Sequence, residues 1–274
     1  MIQIKNDAEI GLMRAAGLVV GRTLEALTAA AVPGVTTADL DQLAETQIRA
    51  AGAVPSFKGY QPHRGVPPFP GSICASVNDE IVHGIPGGRV LGDGDIISID
   101  CGAILDGWHG DAAVTVAVGD VADEVRELIR VTEESMWRGL AAGRLGGRVS
   151  DIGHAVESYV RSQGEYGIVE EYGGHGIGTE MHQEPHVLNY GRPGRGPRLQ
   201  KGLALAVEPM LTLGSPRTRE LDDEWTISTA DGRWAAHFEH TFAITADGPW
   251  VLTALDGGRA ELDRLAAQGT AAAG

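Results

Sequence analysis

The sequence predicts a single α+β domain, and three observations support that class. Apolar residues recur at helical spacing near the start of the chain and again across residues 122–163. Two strand-like runs, 96–103 and 108–118, flank an Asp-Gly pair, which is a strong hairpin signal. Short apolar runs between turn residues fill most of the remainder. No shift in composition marks a linker, so we expect one domain over residues 1–255 and an Ala- and Gly-rich tail, 256–274, prone to disorder.

Two helices are expected at the start of the chain. Asp7 is the predicted N-cap of the first helix, whose apolar positions recur across residues 10–27. The Pro33-Gly34 pair ends that helix, because neither residue continues it readily. Thr36 or Thr37 then opens a second helix.

The segment 53–72 is rich in Pro, Gly and aromatic residues, which predicts an ordered loop or lid. Helices are expected at 122–142 and 152–163, the second with Ser150 or Asp151 as its N-cap. Beyond the hairpin, strands are expected at roughly 170–178, 186–190, 203–213, 225–229 and 237–246.

Acidic residues outnumber basic ones, with 37 Asp and Glu against 22 Lys and Arg and a formal net charge of −15. This balance disfavours non-specific binding to nucleic acid or to an anionic membrane surface. No run of about 18 apolar residues occurs, and the first residues lack the apolar core of a secretory signal, so we expect neither a membrane span nor secretion. Two cysteines, Cys74 and Cys101, are too few for a disulfide framework and indicate a cytoplasmic protein with reduced thiols.

Two aspartates of the predicted hairpin carry the first chemical signal. With Asp106-Gly107 as a two-residue turn, Asp111 lies opposite Gly102 and diagonal to Asp100, so both carboxylates point to one face of the sheet. Two anions in one space require a bound proton or a cation. The pair alone leaves two interpretations equally open, a metal site or an aspartate that simply faces solvent.

Three further candidate ligands lie downstream: His175 in EYGGHGIGTEMH, Glu208 in LALAVEPML and Glu239 in AAHFEHTFAIT. A carboxylate in an apolar run is costly to bury unpaired. Basic residues that could pair with it are scarce near Glu208 and absent between residues 234 and 250. The glycines beside His175 should let a metal and a substrate approach the backbone. Four carboxylates and one imidazole suit two divalent cations, Mn²⁺, Fe²⁺, Co²⁺ or Zn²⁺, about 3.5–4 Å apart.

Five strings in order carry a family resemblance: SICASVNDEIVHGIP, DIISIDCGAILDGWHGDAAVTVAVG, GGHGIGTEMHQEPHV, ALAVEPML and HFEHTFAIT. Together they resemble the type I methionine aminopeptidases, from about residue 5 to residue 254. The resemblance implies the pita-bread fold, a pseudo-two-fold antiparallel sheet flanked by helices with the metals in a central cleft. It implies a metallopeptidase that removes the initiator methionine from nascent proteins and peptides when the next residue is small.

The resemblance also implies a role for each matching residue. Asp111 and Glu239 match bridging carboxylates, and Glu208 would also receive the proton of the attacking water. His182 matches the histidine that contacts the scissile carbonyl, and His83 the one near the substrate amine and the peptide nitrogen. The complete set of matching metal ligands is Asp100, Asp111, His175, Glu208 and Glu239, and the matching methionine-pocket residues are Phe69, Cys74, Met181 and Trp225.

One segment departs from the family pattern. Tyr60 and Phe69 are nine positions apart in GYQPHRGVPPFPGSIC, where the family spacing is three, so six residues are inserted. The insertion leaves the role of Tyr60 open and is expected to alter the entrance to the methionine pocket.

Two other functions remain open on the sequence. One is an Xaa-Pro aminopeptidase or dipeptidase of the same fold, and the other is a non-catalytic peptide-binding pseudo-enzyme. The expected partners are nascent-chain and peptide N-termini, without nucleic acid or membrane, and the chain is expected to be a monomer. His237 has no expected role in the chemistry, and His240 is expected to face away from the ligands.

Overall fold

The computed structural model describes residues 2–271, which form five helices and fifteen strands. The helices are α1 (Asp7–Ala30), α2 (Thr37–Ala50), α3 (Asp123–Ala142), α4 (Val149–Gln163) and α5 (Arg259–Ala271). The strands are β1 (Val54–Pro55), β2 (Ile73–Val77), β3 (Glu80–Val82), β4 (Ile96–Leu105), β5 (Trp108–Ala117), β6 (Gly167–Ile168), β7 (Gly174–Gly176), β8 (Gln183–Val187), β9 (Ala204–Val207), β10 (Met210–Thr212), β11 (Thr218–Glu220), β12 (Ile227–Thr229), β13 (Ala235–His237), β14 (Glu239–Thr245) and β15 (Gly248–Val251).

A nine-stranded antiparallel sheet forms the centre of the fold. Its main path runs β1-β4-β5-β14-β9-β7-β8, with β2 also paired to β4 and β15 to β14. Two three-stranded sheets, β13-β10-β6 and β11-β12-β3, complete the strand arrangement. Helix α1 packs on β4 and β5, and helices α3 and α4 pack on each other. This confirms the predicted α+β class, with helices flanking a large antiparallel sheet.

The predicted hairpin between β4 and β5 is present with the expected register. Asp106 and Gly107 form the turn, and both have positive φ values, 50° and 81°. Asp111 pairs with Gly102, and Asp100 pairs with Ala113. The two-residue turn therefore determines which side chains share a face along the whole hairpin.

The predicted N-cap is wrong for α1 by one residue and is confirmed for α2. Asn6, not Asp7, caps α1, because its side-chain oxygen accepts hydrogen bonds from the backbone N–H groups of Ala8 and Glu9 at 2.9 and 3.0 Å. Thr36 caps α2, as one of the two alternatives predicted.

Helix α4 begins before its predicted cap, at Val149. Arg148 is held in an isolated β-bridge to Arg198, and this extended backbone ends where the helix starts. Ser150 lies in the first turn, where its hydroxyl accepts a hydrogen bond from the Arg195 N–H at 2.7 Å. Asp151 also lies in that turn and accepts from the Arg148 N–H at 2.7 Å, so Asp151 stabilises the start of the helix from within its first turn.

Several predicted strands are shorter than expected or displaced. The expected strand 203–213 is divided into β9 and β10 by Glu208 and Pro209. Proline has no N–H to donate to a strand ladder, which accounts for the interruption. That interruption places Glu208 just beyond the end of β9.

The segment 256–274, predicted as a tail, contains helix α5. The Arg264 guanidinium pairs with Glu134 of α3, and Leu262 and Leu265 pack against a cluster of buried apolar residues. The last residues, 272–274, lie outside the described part of the chain. The division of the chain at residue 255 stays a prediction.

The two cysteines lie on neighbouring strands and do not form a disulfide. Cys74 pairs with Asp100 and Ile73 pairs with Cys101, so the two cysteines point to opposite faces of neighbouring strands. Both are free and buried. Within residues 2–271, no helix combines the length and the apolar character needed to cross a lipid bilayer.

Candidate metal centre and substrate cleft

Three of the candidate ligands share one face of the central sheet. Ala113 of β5 pairs with Asp100 on one side and with Glu239 on the other. Directly paired residues point to the same face, and Asp111 lies two positions before Ala113 on the same strand. The register therefore brings Asp100, Asp111 and Glu239 together around the small side chain of Ala113.

The remaining two ligands reach the same face from β7 and β9. His240 pairs with Val207, so the register continued by one position sets Glu208 opposite Glu239. Gly176 pairs with Leu205, and the same continuation sets His175 opposite Ala206, two positions from Glu208. All five candidate ligands thus converge on one face: four lie on the strands β4, β5, β7 and β14, and Glu208 directly follows a fifth strand, β9.

Four of these side chains, together with His237, form two donor groups that share Glu239, and Asp100 belongs to neither group. One group is Asp111, His175 and Glu239, and the other is Glu208, His237 and Glu239; in each, the potential ligand atoms lie within 4.8 Å of one another. The groups open into a cavity of about 930 Å³ that also contains the predicted pocket residues. Two adjoining donor groups with a shared carboxylate fit the expectation of neighbouring cations.

The carboxylates are crowded and have little compensation within the protein. Burial and the neighbouring acids raise the pKa values of Asp111 and Glu239 well above their usual range. Burial raises the pKa of Asp100 to about 7 and, together with Asp100, that of Glu208 to about 8. One oxygen each of Asp100, Asp111 and Glu239 is buried without a hydrogen-bond partner. The ion pairs found among the described residues include none between this group and a lysine or arginine, so the donor set fits divalent cations.

His175 presents a free nitrogen to this cluster. Its Nδ1 lies 2.9 Å from the Gly176 carbonyl, which can only accept, so Nδ1 carries the proton. Its Nε2 lies 3.5 Å from Glu208 Oε1. Burial lowers the pKa of His175 to about 3, which leaves the ring neutral and Nε2 available as a metal ligand.

The glycines beside His175 have a different use from the one predicted. A Cβ at Gly174 would collide with the Ala206 carbonyl oxygen, and a Cβ at Gly176 with the Glu184 carbonyl oxygen. These atoms belong to the neighbouring chain segments, not to a space for metal or substrate. The expectation that these glycines admit ligands is therefore wrong: they allow the segments around β7 to approach closely, which positions His175.

The four predicted pocket residues lie together beside the carboxylates. Phe69, Cys74, Met181 and Trp225 are buried in one apolar cluster, which Phe57 completes. Cys74 is on the ligand-bearing face because it pairs with Asp100. Phe57 was not among the predicted pocket residues, although it lies in the aromatic-rich segment 53–72 that was predicted as an ordered loop.

The inserted segment closes one side of this cluster. Gly59 donates its N–H to the Phe69 carbonyl at 2.8 Å, and Phe69 donates to the Tyr60 carbonyl at 2.9 Å, so two hydrogen bonds close the base of the loop. Trp225 Nε1 donates to the Pro67 carbonyl at 2.9 Å. Val66 packs against the cluster, and the predicted ordered loop is therefore part of the pocket wall.

Two further predicted residues, His83 and His182, line the same cavity. The ring centroid of His182 lies 4.5 Å from that of His175, and His182 Nδ1 lies 3.0 Å from the Tyr60 hydroxyl. His83 has φ = 59°, a conformation that is costly for a residue with a side chain and that clusters at functional sites. Its ring meets Trp225 edge-on at 6.2 Å between centroids.

Two other histidines, His237 and His240, differ in their position relative to the candidate ligands. His240 faces away from the ligands, as expected: its Nδ1 lies 2.8 Å from the Thr253 hydroxyl, and its ring packs against Trp137. His237 is buried, and its Nε2 lies 3.7 Å from Glu208 Oε2. No role in the chemistry was predicted for His237; the pairing of β13 with β10, which is distant in sequence, contributes to its position near Glu208.

A cleft that joins clustered carboxylates and an imidazole to an apolar pocket is typical of a metal-dependent hydrolase. A sequence model described as metallopeptidase family M24 matches residues 11–246. The chain belongs to this family. Its large antiparallel sheet, flanking helices and central ligand cluster are those of the pita-bread fold.

Relatives of known name agree over nearly the full length. The chain is similar to a methionine aminopeptidase of Clostridium acetobutylicum, with 54% identity over 92% of this chain and 99% of the relative. It is also similar to the crystal structure of a methionine aminopeptidase from Thermotoga maritima, with 40% identity, a TM-score of 0.89 and coverage of 93% of this chain and 100% of the other.

A more distant structure shares only the fold. The Xaa-Pro dipeptidase of Bacillus anthracis is 24% identical, with a TM-score of 0.70 over 91% of this chain and 61% of the dipeptidase. The much lower identity does not favour the Xaa-Pro alternative over the methionine aminopeptidases.

Proposed function

We propose that this chain is a methionine aminopeptidase that hydrolyses the first peptide bond of nascent proteins and peptides when the second residue is small. The observation that carries the proposal is the direct contact between two sites of different chemistry. Cys74 belongs to the apolar cluster and pairs in the sheet with Asp100 of the carboxylate cluster. A methionine side chain in the first site would bring its own peptide bond to the second.

The proposed cofactor is a pair of divalent cations, Co²⁺, Mn²⁺, Fe²⁺ or Zn²⁺. They would be held by Asp100, Asp111, His175, Glu208 and Glu239, with Asp111 and Glu239 shared. The unpartnered carboxylate oxygens and the free His175 Nε2 support this assignment. When bound, such cations lower the pKa of a water molecule and polarise a carbonyl group.

The remaining steps fall to residues around the ligands. Glu208, whose oxygens face the shared ligand space, receives the proton of the attacking water and passes it to the leaving amine. His182 donates a hydrogen bond to the oxygen of the scissile carbonyl as negative charge develops there. His83, at the border of the apolar cluster and the carboxylates, orients the substrate amine and the peptide nitrogen.

The apolar cluster provides the proposed specificity for methionine. Phe69, Met181 and Trp225 offer adaptable apolar contacts, and the Cys74 sulfur contacts a flexible thioether favourably. Apolar pockets discriminate weakly between side chains of equal shape, so norleucine should also be accepted.

The proposed partners and location follow from the same activity. Nascent-chain and peptide N-termini are the substrates, the enzyme acts as a monomer in the cytoplasm, and neither nucleic acid nor membrane is bound. The free thiols and the net charge of −15 support this setting. Size-exclusion chromatography with light scattering tests the monomer directly.

A peptide panel on metal-stripped protein, reconstituted with one cation at a time, tests the proposed activity. Met-Ala-Ser and norleucine-Ala-Ser should be cleaved, Met-Leu-Ser should be cleaved much more slowly, and Ala-Pro should remain intact. Faster cleavage of Ala-Pro would establish the Xaa-Pro alternative instead. Absence of both cleavage and cation binding would establish the non-catalytic binding protein.

A further inference from the structure

We infer that His237 is a positioning residue of the active site, whose Nε2–H donates a hydrogen bond to Glu208. The inference rests on the proposed function, because it concerns the residue assigned to proton transfer there. His237 is the first residue of the HFEHTFAIT string, but the resemblance assigns it no role, and its position in the structure suggests one.

The side chain of Glu208 lies between two imidazoles. Its Oε1 is 3.5 Å from His175 Nε2, and its Oε2 is 3.7 Å from His237 Nε2. His237 is 1% exposed, and its Nε2 is buried without a hydrogen-bond partner among the described residues. A buried polar atom without a partner is costly, and Glu208 Oε2 is the acceptor that faces it.

The backbone holds the His237 ring in this place. The hydroxyl of Thr115 accepts a hydrogen bond from the His237 N–H at 2.8 Å and donates one to the His237 carbonyl at 2.8 Å. Thr115 belongs to β5, the strand that carries Asp111. The imidazole is therefore attached to the same rigid sheet as the candidate ligands, which suits a residue that must orient another side chain.

The two imidazoles beside Glu208 have opposite functions. His175 uses its Nδ1–H on the Gly176 carbonyl, so its Nε2 offers a lone pair. A Glu208 that binds a cation is ionised, and its oxygens then have only lone pairs. Attraction between Glu208 Oε2 and His237 Nε2 therefore requires a proton on that nitrogen. A nitrogen that carries a proton cannot bind a cation, and His237 is thus a donor to Glu208 and not a further metal ligand.

The 3.7 Å between His237 Nε2 and Glu208 Oε2 is slightly longer than a hydrogen bond. A shift of the carboxylate by roughly 0.7 Å would bring it into the usual range for an N–H···O bond. With Oε2 held by His237, Oε1 is directed towards His175 and the shared ligand space. The predicted effect of His237 is to select one orientation of Glu208, for ligation and for proton transfer.

The decisive comparison uses His237→Gln and His237→Met, which have side chains of similar length and differ in the amide N–H donor. His237→Phe is a second variant without a donor, and His154→Gln at an exposed histidine is the control. Isothermal titration measures Co²⁺ binding, the visible absorption spectrum of the Co²⁺ protein reports ligand geometry, and Met-Ala-Ser turnover gives kcat and KM.

His237→Met and His237→Phe should weaken Co²⁺ binding about 10–100-fold, alter the spectrum, and lower kcat by a similar factor with little change in KM. His237→Gln should retain binding and kcat within a few-fold of the wild type, and His154→Gln should match it. Wild-type Co²⁺ binding in a folded variant without a donor would overturn the inference. So would a folded His237→Gln protein as impaired as His237→Met. The Co²⁺ comparison decides the question even if wild-type protein cleaves no Met-Ala-Ser, a result that would refute only the proposed function.

Discussion

The carboxylate cluster and the apolar pocket lie side by side but are built in different ways. The cluster is carried by long paired strands, in which register alone brings Asp100, Asp111 and Glu239 together. The pocket is built mainly from loops, including the inserted segment that contacts Trp225. The cluster tolerates no slip in register, whereas loops accept insertions more readily. We therefore expect the sheet to determine the position of the catalytic groups and the loops to determine substrate specificity.

Loss of Glu208 should have the largest effect, because the cluster is expected to carry kcat. Glu208→Gln keeps the shape but removes the proposed proton acceptor, so kcat for Met-Ala-Ser should fall at least about 1,000-fold. Far-ultraviolet circular dichroism should remain that of the wild type. Glu165→Gln, at an exposed glutamate, is the control. A Glu208→Gln enzyme with a kcat within tenfold of the wild-type value would show that Glu208 is not the proton acceptor.

His182 tests the boundary between the two regions. His182→Ala removes the proposed donor to the carbonyl oxygen, which should lower kcat about 100–1,000-fold. His182 is in neither of the donor groups, so Co²⁺ affinity by titration should stay within a few-fold of the wild type. An equal loss of cation affinity would show that His182 acts through the metal centre instead.

The pocket should respond in KM and in selectivity. Trp225→Ala opens the apolar cluster and frees the Pro67 carbonyl from its hydrogen bond. We expect kcat/KM for Met-Ala-Ser to fall about 10–100-fold, mainly through KM, with unchanged Co²⁺ binding. Steady-state kinetics on methionine and norleucine peptides measures this. A variant that loses Co²⁺ binding instead would contradict the division between loops and sheet.

Both regions show how far sequence reasoning reaches. The two-residue turn at Asp106-Gly107 determines the register of β4 and β5, so the proximity of Asp100 and Asp111 could be derived from local sequence alone. The downstream ligands were predicted from carboxylates that lie in apolar runs and from the family resemblance. Their meeting depends on pairing between β14, β9 and β7, which no local pattern encodes.

The wrong N-cap and the residues that were not predicted also depend on geometry or contacts that the local sequence does not encode. Asn6 and Asp7 are both good N-caps, and the choice between them depends on backbone geometry. His237 and Phe57 act through contacts with residues far away in sequence, so periodicity carries no information about their neighbours. Pro209 could have predicted the break between β9 and β10, because proline interrupts a strand ladder.

The crowded carboxylates predict a pH dependence that the uncharged pocket lacks. Burial raises the pKa of Asp100 to about 7 and of Glu208 to about 8, above the values of an unfolded chain. The folded, metal-free protein therefore binds more protons at neutral pH than the unfolded chain does. This proton binding stabilises the folded state, and the stabilisation is lost as the pH rises through those values. The melting temperature of chelator-treated protein should fall by about several degrees from pH 7 to pH 9. The decrease should be smaller in Glu208→Gln; an equal decrease would place the responsible groups elsewhere.

The smallest effect is expected at Tyr60, where the inserted loop meets the chemistry. The Tyr60 hydroxyl lies 3.0 Å from His182 Nδ1. When this hydroxyl donates, the proton of a neutral His182 ring resides on Nε2, the tautomer that can donate to a substrate carbonyl through that nitrogen. Loss of one such hydrogen bond costs about 0.5–1.5 kcal/mol, so Tyr60→Phe should lower kcat about 2- to 10-fold.

Gln61→Ala is the matched control for this prediction, because it alters the same loop without touching His182. Gln61 Nε2 donates to the Val66 carbonyl at 2.6 Å, so its removal loosens the pocket wall. Gln61→Ala should raise KM for Met-Ala-Ser and leave kcat unchanged, the reverse of Tyr60→Phe. If both variants change only KM, Tyr60 belongs entirely to the pocket, and the inserted loop contributes to specificity without reaching the chemistry.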